Sequence, residues 1–181
     1  MENPPIVHIR DAVEEERETI ADMMVEAYQQ YADVLPVEAW NAYRDSIRQS
    51  AFSSLPYARI VAELNGTIVG TVQLYLSSET AYGKPEMGIH SPIIRLLAVS
   101  PAARGLGIAK LLIQEAAQRS IELGATTLNL HTSDMMADAV RLYEKLGFQR
   151  DYPTDTTNGL TLVKGYRLDL PGSALLTRAI S

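Results

Sequence analysis

Residues 104–110 read Arg104-Gly105-Leu106-Gly107-Ile108-Ala109-Lys110, two glycines and two cations within seven positions. They follow an apolar run, Ile93–Val99, and a turn, Ser100-Pro101-Ala102-Ala103. They open a segment in which Ile108, Leu111, Leu112 and Ala116 fall three and four apart before Gly124. That spacing predicts a strand, a loop and a helix. Backbone N–H groups at a helix N-terminus lie at the positive end of a dipole worth about half an elementary charge. Such an end suits a phosphate. Gly105 and Gly107 put no Cβ between the backbone and a diphosphate, and Arg104 would add a charge-assisted contact to a phosphate oxygen.

Glycine loops serve several ligands, and a Gly-x-Gly before a helix is also an ordinary tight turn. The dinucleotide pattern G-x-G-x-x-G fails because Lys110 stands where the third glycine belongs. The G-x-x-x-x-G-K-[ST] pattern of nucleoside triphosphate sites is absent from the chain.

Downstream, Thr126–His131 alternates like a strand, and Ala139, Leu142, Tyr143 and Leu146 mark a short amphipathic helix closed by Gly147. With Arg104-x-x-Gly107-x-Ala109 upstream and Leu142-Tyr143-x-x-x-Gly147-Phe148 here, the chain resembles the GNAT superfamily of acyl-CoA-dependent N-acyltransferases. The resemblance is close from Ile93 to Phe148 and elsewhere follows only the order of elements. It implies an α/β fold with a mixed, largely antiparallel central sheet of about seven strands, flanked by about four helices and splayed at a cofactor cleft. It implies acetyl-CoA as acyl donor and CoA as product. The pantetheine arm would pair with the backbone of Leu97, Ala98 and Val99, and the pyrophosphate would lie on Arg104, Gly105, Leu106, Gly107, Ile108, Ala109 and Lys110.

Two positions depart from the family pattern. Met136 stands where many members carry an asparagine that touches the cofactor arm, so it offers apolar contact only. Near Ile93 many members carry a glutamate as general base, and here the chain reads Pro92-Ile93-Ile94. The usual base is missing from its usual place.

An amine presented neutral at pH 7 costs about 4 kcal/mol when its free pKa is near 10, and a thiolate leaving group of pKa near 8.5 gains from a proton donor. The resemblance makes Tyr143 that donor, against the alternative of a packing tyrosine whose hydroxyl bonds backbone. The segment Ser77–Ser91 reads as a long polar loop, and connections of such length are often functional. It carries Glu86 and His90 as candidate bases, His90 having an ordinary pKa near neutrality. A water relay would need neither. His131, at a strand end, is read as a structural histidine or a site residue.

The chain has 181 residues, net charge −6 and no cysteine. Its length suits a single domain over residues 1–181. Without cysteine there is no disulfide, acyl-cysteine intermediate or thiolate metal site. His8, His90 and His131 have no ligand spacing, so no metal is expected. No G-x-S-x-G marks a serine nucleophile, which leaves direct transfer as the simpler scheme. The acidic balance argues against nucleic acid and weakly favours a cationic amine, in a small molecule or a peptide. Neither a secretory leader nor an apolar run of ~18 residues is seen, so a cytoplasmic protein without a membrane is expected. Monomer and homodimer both stay open.

Elsewhere, Val7–Arg10 reads as a strand. Asp11 with Glu14 reads as the cap of a helix whose face is Ile20, Met24, Ala27, Tyr28 and Tyr31. Pro36 opens a second helix with Trp40, Tyr43 and Ile47. These aromatics either wall the acceptor side or pack the helices onto the sheet, and Met23 and Met24 are read as core. Asn65-Gly66 predicts a hairpin between Ala58–Glu63 and Thr67–Leu76. Asp151–Gly159 reads as a loop, Leu160–Leu170 as a last strand, and the tail from Pro171 as peripheral. A module that binds acyl-CoA without turnover is the competing function, with a generic nucleotide binder behind it.

Overall fold

The structure is a computed structural model that describes residues 6–158 and 161–176. Its strands are β1 (Val7–Asp11), β2 (Ala58–Leu64), β3 (Thr67–Tyr75), β4 (Ile93–Val99), β5 (Thr127–Thr132), β6 (Gln149–Arg150), β7 (Thr156–Asn158) and β8 (Thr161–Asp169). Its α-helices are α1 (Arg17–Tyr28), α2 (Val37–Ser50), α3 (Ser78–Tyr82), α4 (Ile108–Glu122) and α5 (Ala137–Lys145). The strands run in the order β1-β2-β3-β4-β5-β8-β6, with β7 on β8. Pairing is antiparallel for β1–β2, β5–β8, β6–β8 and β7–β8, and parallel for β4–β5. The expected mixed, largely antiparallel sheet is present.

The described residues exceed the expected count by short elements whose signals lie in single residues. Segment 77–91 is no plain loop. Ser77 caps α3, its Oγ accepting from the Thr80 N–H at 3.3 Å, and Pro85–Met87 forms a 3-10 turn. Similarly, 151–158 holds a 3-10 turn, Tyr152–Thr154, and then β7. The expected helix cap at Asp11 is not formed. Asp11 ends β1, and a 3-10 turn at Glu14–Glu16 precedes α1, with the Val13 N–H donating to Glu16 Oε1 at 2.9 Å. Arg10 fixes that turn through Glu16 at 2.7 Å and Glu63 at 2.8 Å. Gly159 at the end of the predicted loop, Leu160 at the start of the predicted last strand, and 177–181 of the tail lie outside the described residues.

The chain divides into two compact units, one made of the segment up to Gln73 with Leu96–Ile113, the other of Leu74–Arg95 with the segment from Gln114. In the first, Ile20, Met24, Ile47, Ile60 and Val72 are fully buried, and Met23 joins them. The helix faces expected from periodicity are therefore the core faces. Arg48 of α2 bridges Glu18 and Asp22 of α1. Asn65 (φ 53°) and Gly66 (φ 79°) make the two-residue connection between β2 and β3.

In the second unit, Tyr75, Ala81, Ile89 and Ile93 form a cluster against which Tyr82 and Met87 pack. Leu128, Leu130, Phe148, Tyr166 and Leu168 are among the other buried residues of this unit. β5 and β8 pair over six positions, from Thr127 opposite Asp169 to Thr132 opposite Lys164. This ladder fixes the end of β5.

Candidate active site

The glycine loop lies in the first unit and has the form its sequence predicts. Pro101–Ala103 makes a 3-10 turn, Gly105 (φ 85°) and Gly107 (φ 77°) occupy the left-handed region, and α4 starts at Ile108. A side chain at either glycine would be strained. The Gly107 carbonyl accepts the first helical bond, from Leu111 N–H at 3.1 Å. Among the described residues, the N–H groups from Gly105 to Lys110 have no backbone partner across the loop, as the first turn of a helix requires. No atom lies within 4 Å of where a Cβ would stand at Gly105 or Gly107. This open, N–H-lined helix start has the sign that a pyrophosphate needs.

Arg104 differs from expectation. Its guanidinium donates to the Ala27 carbonyl at 2.9 Å and to Gln30 Oε1 at 3.0 Å, so it caps the C-terminal end of α1 with positive charge. The backbone N–H groups are what the loop offers an anion.

On β4, Leu96 has φ 54°, a left-handed conformation costly for a branched side chain. It interrupts the extended backbone just before Leu97 and Val99. Tyr28 donates its hydroxyl to the Leu97 carbonyl at 2.8 Å and packs with Tyr31 and Tyr43, ring centroids 5.9 and 6.0 Å away. Trp40 is buried beside Tyr43 at 6.3 Å. The aromatics of α1 and α2 are thus chiefly packing groups, and Tyr28 also ties α1 to the strand expected to hold the cofactor arm. β4 and β5 share one register position, Ile93 opposite Asn129, and the Asn129 amide donates to Ser91 Oγ at 2.6 Å and the Pro92 carbonyl at 3.0 Å.

In the second unit, Tyr143 of α5 is buried, its ring 5.8 Å from that of Phe148. Met136 is half-buried at the N-terminal end of α5. Glu86 and His90 are exposed, and among the described residues no hydrogen bond orients either side chain.

The most organised polar group in this unit was not singled out in the sequence as a unit. His131 lies between α3 and the 152–154 turn, with Nε2 2.9 Å from the Thr154 carbonyl and Nδ1 2.9 Å from the Tyr82 hydroxyl. A carbonyl only accepts, so Nε2 carries the proton; neutral Nδ1 then accepts from Tyr82. Burial lowers the His131 pKa from its ordinary value, opposed by the Thr154 carbonyl and by Asp155 and Asp151. Burial likewise raises that of Tyr82, with Arg95 opposing and Tyr75 and Tyr143 adding to the rise. Arg95 lies 5.2 Å over the Tyr82 ring and 5.7 Å over that of Tyr75, and it donates to the Ala81 carbonyl at 2.7 Å.

The turn that carries Thr154 is clamped from below. Arg150 forms two 2.7 Å bonds with Asp155 and one of 2.8 Å with the Gly165 carbonyl, while the Gly165 N–H donates to Asp155 at 2.8 Å. A Cβ on Gly165 would overlap Thr154 Oγ1, fall 2.9 Å from the Asp151 carbonyl and lie 3.2 Å from His131 Nε2. Tyr82 and His131 are 49 residues apart, so tertiary packing rather than sequence proximity brings them together.

The model of the acetyltransferase (GNAT) family matches residues 18–148. The chain belongs to this family. It is 38% identical over 90 residues to N-acetyltransferase 8B of Rattus norvegicus, an alignment covering 50% of this chain and 38% of that protein. The chain therefore spans well under half the length of the curated relatives it matches first. The PaiA N-acetyltransferase of Thermoplasma acidophilum, solved in complex with coenzyme A, shares the fold with a TM-score of 0.69 at 17% identity, over 91% of this chain and 99% of that one. YncA of Salmonella typhimurium, solved with its cofactor acetyl-CoA, does so at 0.60 and 17% identity, over 97% and 99%. These likenesses at low identity extend to the GNAT fold. Among the described residues no helix is long and apolar enough to cross a membrane.

Proposed function

We propose that this GNAT protein is an N-acetyltransferase that moves an acetyl group from acetyl-CoA directly to a primary amine of a small molecule or peptide. The observation that carries this reading is the open row of N–H groups at Gly105–Lys110, at the start of a 15-residue helix, in a chain of acetyltransferase descent. When bound, acetyl-CoA supplies the activated thioester. Backbone groups of Leu97, Ala98 and Val99 would hold its arm, the loop from Arg104 to Lys110 its pyrophosphate, and Met136 an apolar part of the arm. With no cysteine in the chain an acyl-cysteine intermediate cannot form, and direct transfer is the simpler scheme.

Tyr143 donates the proton that the departing sulfur takes up. A positioned acid of this kind is worth about 10² to 10⁴ in rate. The incoming amine must lose a proton, and the 77–91 segment is the proposed source of the group that takes it, with Glu86 and His90 as its solvent-facing candidates. That neither is oriented by a hydrogen bond favours the second reading, a module that binds acyl-CoA without turnover.

Mass spectrometry of amines incubated with protein and acetyl-CoA separates the two. Protein-dependent N-acetyl product from at least one amine, lost in large part in Tyr143→Phe, is the expected result. Tight binding of acetyl-CoA with no product from any amine would replace the transferase with the module.

A further inference from the structure

We propose that Tyr82 and His131 are the proton-accepting pair of this acetyltransferase, with Tyr82 meeting the acceptor amine and His131 receiving its proton. The proposal rests on the acyl-transfer reading and names the group on the 77–91 segment that this reading leaves open.

Three features of the geometry carry it. First, the pair has a fixed direction. The Thr154 carbonyl takes the Nε2 proton, which leaves Nδ1 as the acceptor of the Tyr82 proton at 2.9 Å. Second, the base is held on both sides. Thr154 sits on a turn locked by Arg150, Asp155 and Gly165, and the two rings meet edge to face at 5.0 Å. Third, the Arg95 guanidinium sits 5.2 Å over the Tyr82 ring, and Tyr143, the proposed acid, belongs to the same unit as Tyr82.

The step balances. The amine nitrogen forms its bond to the acetyl carbonyl carbon and gives up an N–H proton to the Tyr82 oxygen, while the Tyr82 proton moves to His131 Nδ1. The C–S bond breaks with its electron pair, and the sulfur takes a proton from Tyr143. The imidazolium so formed keeps its Nε2–H bond to the Thr154 carbonyl and is favoured by Asp155 and Asp151; Lys84, which donates to Thr156 Oγ1 at 3.1 Å, and burial oppose it. Arg95 on β4 and Tyr75 on β3 face Tyr82 from its other side. Burial keeps His131 neutral at pH 7, the state the relay needs.

The test uses Tyr82→Phe, which keeps the ring beneath Arg95 and removes only the proton, and His131→Asn, whose amide can accept from Tyr82 but cannot take its proton. Each variant should lose about 10²-fold or more in kcat, with acetyl-CoA affinity by calorimetry within about twofold of wild type. The wild-type kcat/KM should fall below the ordinary histidine range, and this limb should vanish in His131→Asn. In the ligand-free protein at pH 7, nitrogen NMR should show His131 protonated at Nε2 only. Unchanged kcat and pH profile in both variants, or a ring protonated at Nδ1, would overturn the pair while leaving acetyl transfer standing. If the wild type acetylates no amine, acetyl transfer itself fails, and the pair with it.

Discussion

Tyr143 has two roles open to it, proton donor and packing group, and they differ in what Phe does in its place. The ring stays beside Phe148, 5.8 Å away, so packing is kept while the hydroxyl is lost. Turnover of Tyr143→Phe is expected to fall by about 10²-fold, with a rise in melting temperature or a fall of no more than a few degrees, measured by thiol release and thermal unfolding. The resemblance of Leu142–Phe148 to a family motif made this residue visible in the sequence. Nothing comparable marks Tyr82, because a histidine at a strand end and a tyrosine in a polar stretch are each ordinary. Their pairing exists only in three dimensions.

Arg104 shows the opposite case, a residue whose type was informative and whose direction was not. Its two bonds to the end of α1 mean that Arg104→Ala should weaken acetyl-CoA binding less than Gly107→Glu does. The latter places a carboxylate and a strained backbone in the cradle at φ 77°. Calorimetric titration should show at least a tenfold loss, about 1.4 kcal/mol, for Gly107→Glu.

Among elements, β3, α4 and β4 meet at Gly70 in the first unit. A Cβ there would lie 2.9 Å from Ile108 Cγ2, 3.0 Å from Leu112 Cδ1 and 3.3 Å from the Ala98 carbonyl. Gly70→Ala should therefore destabilise the fold by about 1–3 kcal/mol through overpacking, read from denaturant unfolding. The bounds of α4 and β5 and the start and buried face of α2 were legible, because apolar spacing marks them. The 3-10 turns, α3 and β7 were not, since each depends on a few hydrogen bonds rather than on a period. The β1–α1 junction failed for the same reason: Glu16, not Asp11, reaches back to the chain.

For the whole molecule, acid stability follows from carboxylates held by arginines. Arg150 draws Asp155 from its ordinary 3.8 down to about 2. A carboxylate with a depressed pKa contributes stability that is complete above about 3.8 and is lost as the pH falls through about 2. Asp155→Asn should thus lower the melting temperature at pH 7, and the gap to wild type should narrow across that window in a pH series of thermal unfolding curves. Family and fold were legible because two motifs, Arg104–Ala109 and Leu142–Phe148, lie in order along one chain. The acceptor was not, since the residues that would choose it follow no period and no motif.

The most direct measurement is a calorimetric titration of the protein with acetyl-CoA and with CoA, followed in the same sample by free-thiol release against a panel of amines. Amine acetylation predicts saturable binding of both and thiol release that depends on the amine added. No binding of either would contradict the cradle at Gly105–Lys110, and binding with no amine-dependent release would contradict the transferase.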